Sequence, residues 1–581
     1  MSKLCGGDQI AEVLQRQGVR FLFTLCGGHI SPILVGAKAR GIRVVDVRDE
    51  ANAVFAADAI ARMTGVPGVA AVTAGPGVTN TLTALKNAQM AQSPVVLLGG
   101  AAATMLQGRG SLQDIDQTSV IKAHVKWHQS CKRVSELGPA VETAFRKAQE
   151  GVPGPVFVEC PIDLLYDEEL VRGWSAEIAG KGPAKTAFDK ALRWYLGRHL
   201  DKLFEGAYDH QPQGPIRVAG REPLAPLMQQ AAAMIRKAKK PVMLVGSQTL
   251  VRAQNAWHVA EAIEKVGMPV WLAGSARGLL GHEPDLQMRH KRKKALKGAD
   301  LVILAGVPCD FRLGYGRVIS GKAKVISVNL DPKTLFKNRV PNLPIPADPG
   351  RFIVKLAEVA GGQGSRWQGW IDELRANDDA RNAEIAAIAD EDAPPVNPLK
   401  VCQAIEELMA EDSVIVADGG DFVATASYIM RPRKPLSWLD PGVFGTLGVG
   451  GGFAMAAQLA RPDAEVWLIY GDGAAGFSMI EIDTFARHGL PVIAVIGNDA
   501  GWTQIARDQV VILKDDVGTV LARSDYEKVA PAFGGKGLSI KKTSDIKRVL
   551  KKAKEIAKTG VPVIVNAHIG KTDFRKGSIS M

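Results

Sequence analysis

Only six cysteines occur in 581 residues, and no two of them stand in a C-x-x-C pair. That absence argues against the common zinc and dithiol motifs. Sparse cysteine in a long chain fits a reducing, cytoplasmic compartment. Aromatic residues make up only 6%. The densest basic run, Arg289-His290-Lys291-Arg292-Lys293-Lys294, contains none. It lacks the aromatic interleaving of a nucleic-acid surface, so no nucleic-acid partner is expected and the run reads first as a solvated helix face. The opening "MSKLCGGDQIAEVLQ" has no signal-peptide core. The uncharged run 441–460 carries six glycines and a proline. It would make a poor lipid-facing helix and reads as buried backbone, so no membrane span is expected. No short repeat is present, which excludes a solenoid.

What the chain does have is ordinary hydrophobic content, 46%, and a net charge of +12. The basic balance favours anionic, phosphorylated partners. Apolar strand-like runs alternate with helical periods in three segments, which predicts α/β architecture with three doubly wound parallel-sheet domains. The expected domains are 1–166, 224–362 and 397–581. A helix-bearing insertion is expected over 167–223, with Phe188, Leu192, Tyr195, Leu196 and Leu203 on one face, and a helical linker over 363–396.

The sharpest chemical signal is "IYGDGAAGFSM", 469–479. The strand "EVWLIY" ends just before Asp472, a helix follows, and the strand "PVIAVIG" ends at Asn498. Both polar residues thus fall at the C-terminal ends of parallel strands, where open α/β sheets bind ligands. A carboxylate with an amide oxygen and a carbonyl suits a hard cation such as Mg²⁺. The glycines beside Asp472 allow close approach of a phosphate group. Alone, Gly-Asp-Gly could equally be a tight turn.

Gly-Asp-Gly, 24 intervening residues and Asn resembles the motif of thiamine-diphosphate (ThDP) enzymes. The resemblance implies Mg²⁺ on Asp472, Asn498 and the Ala500 carbonyl, with diphosphate on the N–H groups of Gly473 and Ala474. "VVDVRDEANAVFAADA" is similar to the family's glutamate segment. It implies that Glu50 bonds N1′ of the aminopyrimidine, although a helix-start carboxylate would look the same. "TAGPGVTN" and "FTLCGGHISPIL" imply Gly27, Pro76 and Asn80 near the cofactor. "RGSLQDIDQ" resembles the "GAFQE" stretch of acetolactate synthases and implies Gln113 at the reacting face. "DGGDF" resembles a diphosphate loop of Gly420, Asp421 and Phe422, with Asp421 expected to contribute backbone only. "FGTLGVGGGFAMA" resembles the stretch that bends the cofactor, with Leu447 as wedge and the Gly445 carbonyl on the 4′-amino group.

The resemblance spans nearly the whole chain and is strongest to the acetolactate synthase-like group associated with 2-hydroxyacyl-CoA lyase activity. It implies a ThDP-dependent lyase that releases formyl-CoA and a small aldehyde from a CoA thioester, reversibly. The alternatives are an acetolactate-type carboligase acting on pyruvate and an oxalyl-CoA-type decarboxylase. Where the synthases carry "GARFDDR" this chain has "GVPCDFR", and "NDAGWTQIARDQ" replaces "NEEQGMVTQW". Against these, Lys126 in "HVKWH" resembles a synthase lysine, or is a plain surface residue. A binding protein of this fold without turnover is at odds with intact Glu50, Asp472 and Asn498. The family pattern further implies a homodimer or homotetramer with interfacial active sites, and ADP, CoA or FAD in the central domain. Arg277 and Arg312 are phosphate candidates there, against a plain role in ion pairs. The tail 572–581 is a candidate substrate cover.

Overall fold

The computed structural model describes residues 4–180, 184 and 186–576. The chain divides into two compact units, residues up to Ala61 with Val66–Val218, and Arg62–Gly65 with everything from Ala219 onward.

The first unit is built on a six-stranded sheet. Its strands lie in the order Arg43–Asp46, Phe21–Leu25, Gly68–Val72, Val95–Ala101, Val156–Pro161 and Trp127–Ser130. Every pairing is parallel. Gly68–Val72, Val95–Ala101 and Val156–Pro161 are buried along their whole length, as a parallel sheet covered on both faces requires. The first strand lies between the second and third. The segments after these three strands therefore emerge at a topological switch point, and they carry Gly27, Glu50 and the turn 75–80.

The second unit holds two parallel sheets. The five-stranded one runs Leu343–Ile345, Lys324–Val328, Leu301–Ala305, Pro241–Val245 and Val270–Leu272. The six-stranded one runs Trp438–Leu439, Val414–Ala417, Val466–Gly471, Ile493–Asn498, Val563–His568 and Lys536–Ile540. Its order in chain terms (second, first, third, fourth, sixth, fifth) repeats that of the first unit's sheet. The long helix Gln368–Asp390 docks beside the five-stranded sheet. There the Trp370 indole donates to the Pro241 carbonyl at 3.0 Å, and Trp367, just before the helix, donates to that of Ala238 at 3.1 Å.

The insertion helix forms at Ala187–Phe204, opened by a capping box between Thr186 and Asp189. Its buried face differs from the expected one. Leu196, Leu200, Leu203 and Phe204 are buried, whereas Phe188 and Tyr195 are 75% and 54% exposed. The burying stripe starts at Leu196, about two turns after Phe188, so Phe188 faces outward. Each buried side chain contributes roughly 1.5–3 kcal/mol. Among the described residues no helix is long and apolar enough to cross a membrane. Residues 577–581 of the tail lie outside the described residues; before them, the Phe574 ring packs edge-on against Tyr428 at 5.6 Å.

Candidate active site

Strand Val466–Gly471 is wholly buried, and Asp472 opens the short helix that follows it. The Asp472 carboxylate accepts the N–H of Gly473 at 2.9 Å and that of Gly501 at 3.1 Å. Burial raises its pKa, and these backbone amides oppose the rise. Asn498 ends the neighbouring strand. Its Nδ2 donates to the Ser524 carbonyl at 3.0 Å and to Asn566 Oδ1 at 3.2 Å. Its Oδ1 is buried and has no partner among the described residues. A buried acceptor without a donor costs about 1–3 kcal/mol, and a cation would satisfy it. Ala500 adopts a left-handed φ of 58° that turns the chain back, and its carbonyl accepts the N–H of Leu521 at 3.0 Å. Among the described residues no group of three His, Cys, Asp or Glu side chains is arranged to hold a metal. The donor set here is one carboxylate, one amide oxygen and one carbonyl, which fits Mg²⁺.

The diphosphate-loop residues stand beside this pair. Gly420 has a φ of 111°, and a Cβ there would lie 3.2 Å from Gly471 Cα. The Asp421 carboxylate is turned into an ion pair with Arg507 at 2.6 Å, which leaves its backbone N–H at the start of helix Asp421–Ile429. The Phe422 ring is buried under Gly497, where a Cβ would meet it at 2.2 Å. Phe422 can therefore offer only its backbone to a ligand. The Trp502 ring covers Gly473, 2.5 Å from where a Cβ would stand. Leu447 packs on Gly419, where a Cβ would lie 2.2 Å from Leu447 Cδ2, and Gly445 precedes it with a φ of 65°.

These residues share one cavity of ≈ 1130 Å³. Gly420, Asp421, Phe422, Gly445, Leu447, Asp472, Gly473 and Ala474 line it, while Asn498 and Ala500 lie behind the lining. Its other end is basic, with Lys291, Arg292, Lys293 and Arg312. The basic run is thus only partly a solvated face. Arg289 is half-buried and caps the helix Asp421–Ile429 by donating to the carbonyls of Tyr428 and Met430. Arg277 donates to the Ser427 carbonyl at 2.8 Å, lies over the Trp438 ring and also lines the cavity. Arg312 is paired with Asp310 at 2.6 Å and still borders the cavity.

In the first unit Glu50 opens the helix Glu50–Thr64 and is 6% exposed. Its Oε2 accepts Asn80 Nδ2 at 3.0 Å. Pro76 begins the turn after Gly75 and is exposed beside it. Gly27 lies against Thr73, and Gln113, held at a φ of 62°, comes within 3.5 Å of the Thr73 hydroxyl. Glu50, Asn80, Gly27 and Gln113 thus gather around Thr73. Lys126 is elsewhere, donating to the carbonyls of Glu150 at 2.5 Å and Val152 at 2.6 Å. It closes the end of helix Leu137–Gln149, and burial lowers its pKa to about 8.

Sequence reasoning missed several residues. Asp418 is wholly buried and accepts the N–H groups of Gly448 at 3.0 Å and Gly450 at 2.7 Å, which anchors the turn that carries Leu447. Burial pushes its carboxyl up to about 7. Burial also pushes Asp499 up to about 6, with Asp472 adding to the rise. Arg507, Asn566, His29 and Thr73 were likewise unmarked. Asp418, Asp499, Arg507, His29 and Thr73 all lie within the motif stretches read above, whereas Asn566 does not.

Family models place these features in a class of enzyme. The N-terminal TPP binding domain of thiamine pyrophosphate enzymes matches residues 4–120, the central domain 228–356 and the C-terminal TPP binding domain 418–567. The chain belongs to the thiamine pyrophosphate enzyme family. It is 50% identical over 583 residues to 2-hydroxyacyl-CoA lyase 2 of Danio rerio, covering 99% of this chain and 93% of that protein. The Homo sapiens 2-hydroxyacyl-CoA lyase 2 is 48% identical over 99% of this chain and 92% of its own length. An acetolactate synthase large subunit of Mycobacterium tuberculosis is 34% identical over 96% and 95%.

Proposed function

We propose that this chain is a ThDP-dependent 2-hydroxyacyl-CoA lyase, which splits a 2-hydroxyacyl-CoA reversibly into formyl-CoA and an aldehyde. The observation that carries the reading is the 50% identity to a 2-hydroxyacyl-CoA lyase 2 over 99% of the chain. The bound cofactor supplies a nucleophilic carbon and an electron sink for the breaking carbon–carbon bond. Asp472, the free Oδ1 of Asn498 and the Ala500 carbonyl hold Mg²⁺. Backbone N–H groups of Gly420, Asp421, Gly473 and Ala474 would receive the diphosphate, Leu447 would support the bent cofactor, and the Gly445 carbonyl would accept a hydrogen bond from the 4′-amino group. Glu50, steadied by Asn80, bonds the aminopyrimidine. Pro76 and Gly27 shape its surroundings.

The basic end of the cavity suits the phosphates of CoA. ADP or FAD could use the same charges, and the colour of the pure protein distinguishes FAD. The assembly is a homodimer or homotetramer in a reducing, cytoplasmic compartment, with Glu50 of one copy serving the cofactor held by Asp472 of another. A monomer that binds ThDP tightly in sedimentation analysis would refute that assembly. The engagement of the synthase-like Lys126 with the Glu150 and Val152 carbonyls supports the lyase reading over the synthase one. The test is incubation with ThDP and Mg²⁺ plus either a 2-hydroxyacyl-CoA or pyruvate. Formyl-CoA from the first alone is expected; acetolactate from the second would overturn the reading.

A further inference from the structure

Asp421 is an unexpected neighbour for a phosphate. It opens the helix Asp421–Ile429 and lines the cavity together with Asp472 and Asp499. Its backbone N–H is one of the groups assigned to the diphosphate, so its carboxylate belongs to the very residue that must receive an anion. Mg²⁺ would answer the charge of Asp472 and leave that of Asp421 standing. We propose that Arg507 is a positioning residue that makes this loop fit to bind a diphosphate, by neutralising the Asp421 carboxylate and engaging it at the side of the loop. The inference rests on the placing of the diphosphate at Gly420 and Gly473 given above.

The pair is placed for that duty. Arg507 Nη2 lies 2.6 Å from Asp421 Oδ1, and the two side chains are only 14% and 13% exposed. A guanidinium cannot lose its charge in a protein, so the carboxylate is answered at every working pH. In so sheltered a place two charges act on each other more strongly than on an open surface. Without Arg507 the carboxylate would stand against the diphosphate as a like charge. It would also take up the positive end of the helix Asp421–Ile429 that an anionic ligand would use.

Arg507 comes from the helix Thr503–Leu513, and the residue before that helix, Trp502, covers Gly473 with its ring. One segment therefore reaches both loops that offer backbone N–H groups, Gly473 through Trp502 and Asp421 through Arg507. Gly501, next to Trp502, donates to the Asp472 carboxylate at 3.1 Å, which ties the same segment to the metal ligand. Arg507 Nη1 is buried without a hydrogen-bond partner among the described residues. A pair kept for stability alone would be expected to satisfy both nitrogens, since buried polar groups almost always are.

The test titrates ThDP and inorganic pyrophosphate at saturating Mg²⁺, read by tryptophan fluorescence, into wild type, Arg507→Met, Asp421→Asn and the double variant. Arg507→Met should weaken both ligands about 30-fold or more. Asp421→Asn should bind both at least as well as wild type. The double variant should match Asp421→Asn, because a neutral amide needs no counter-charge. An ion pair kept for structure would give no such rescue, since the double variant lacks the pair as fully as either single one. A double variant as weak as Arg507→Met, or Arg507→Met with wild-type affinity, would overturn the role. Loss of ThDP affinity with pyrophosphate affinity intact would also overturn it, because the effect would then lie at the rings. If Arg507→Met does not fold, Asp421→Asn against the double variant decides: equal affinities support the role, and a weaker double variant overturns it. Wild-type protein in which pyrophosphate fails to compete with ThDP would overturn the placing of the diphosphate, and the role with it.

Discussion

Asn498 gives its Nδ2 to Asn566 Oδ1 at 3.2 Å, while its own Oδ1 stays buried without a partner among the described residues. Asn566 is fixed in turn, donating to the Ser524 carbonyl at 3.0 Å and to Glu527 Oε2 at 2.7 Å. Its oxygen is thereby aimed at Asn498, and the Asn498 carboxamide can face a metal only with its oxygen. Partners behind a ligand usually carry 10–100-fold of metal affinity. Asn566→Ala should therefore weaken Mg²⁺ binding by about 10–100-fold while leaving the far-UV circular dichroism intact. Titration of Mg²⁺ at saturating ThDP, read by tryptophan fluorescence, checks this. An unchanged Mg²⁺ midpoint would show that Asn498 needs no such support.

Gly419 and Leu447 give a second prediction. A methyl group on Gly419 would stand 2.2 Å from Leu447 Cδ2. That carbon is the end of a flexible side chain, so the clash is relieved by rotation rather than by unfolding. Gly419→Ala should leave the apo Tm nearly unchanged and still weaken ThDP binding, because the displaced leucine no longer supports the cofactor. Calorimetry of the apo protein and a ThDP titration separate the two effects. A large loss of Tm with normal ThDP affinity would contradict the assignment of Leu447.

How much of this was legible in the sequence depends on how local each feature is. The strand ends at Asp472 and Asn498 stood out because each follows a fully apolar run, and a buried parallel strand must be apolar on both faces. Neither Asn566 nor Arg507 signals its partner locally. They matter through partners 68 and 86 residues away, and pairings of that span are set by the fold. The shared strand order of the two six-stranded sheets was equally hidden, because topology can repeat without repeated residues. The helix Ala187–Phe204 was placed correctly, but its buried face was misjudged. Apolar spacing marks every stripe a helix could bury, and tertiary packing selects one. Arg277 shows the same limit: its charge suggested phosphate, while its contacts with Trp438 and the Ser427 carbonyl, at the cavity wall, come from the fold.

Asp418 gives a pH prediction. Burial pushes its carboxyl up to about 7 from an ordinary 3.8. An acid raised in the folded state binds its proton more tightly there than when unfolded. Its contribution favours folding fully below the unfolded value and is lost as the pH rises through 7. The difference between the two values sets a ceiling of about 4 kcal/mol. The apo protein should lose Tm from pH 5 to 8, and Asp418→Asn, which keeps one oxygen for the Gly448 and Gly450 amides, should flatten that slope. Thermal scans across this range check it. A variant with the wild-type slope would show that another group carries the dependence.

Glu50 tests the chemistry most directly. It is buried, and its carboxylate accepts from Asn80 Nδ2. Glu50→Gln keeps the shape and an acceptor oxygen for Asn80 but removes the negative charge. If the carboxylate serves to shift a proton on the aminopyrimidine, charge matters far more than shape. The variant should bind ThDP with near-normal affinity and lose about 10²–10⁴-fold in C2–H/D exchange, the usual span for a positioned acid–base group. Asn80→Ala should have a smaller effect, because it loosens the carboxylate without neutralising it. If Glu50→Gln exchanged C2 at the wild-type rate, Glu50 would be no more than a helix-start carboxylate, and the proton would have to be moved by another group.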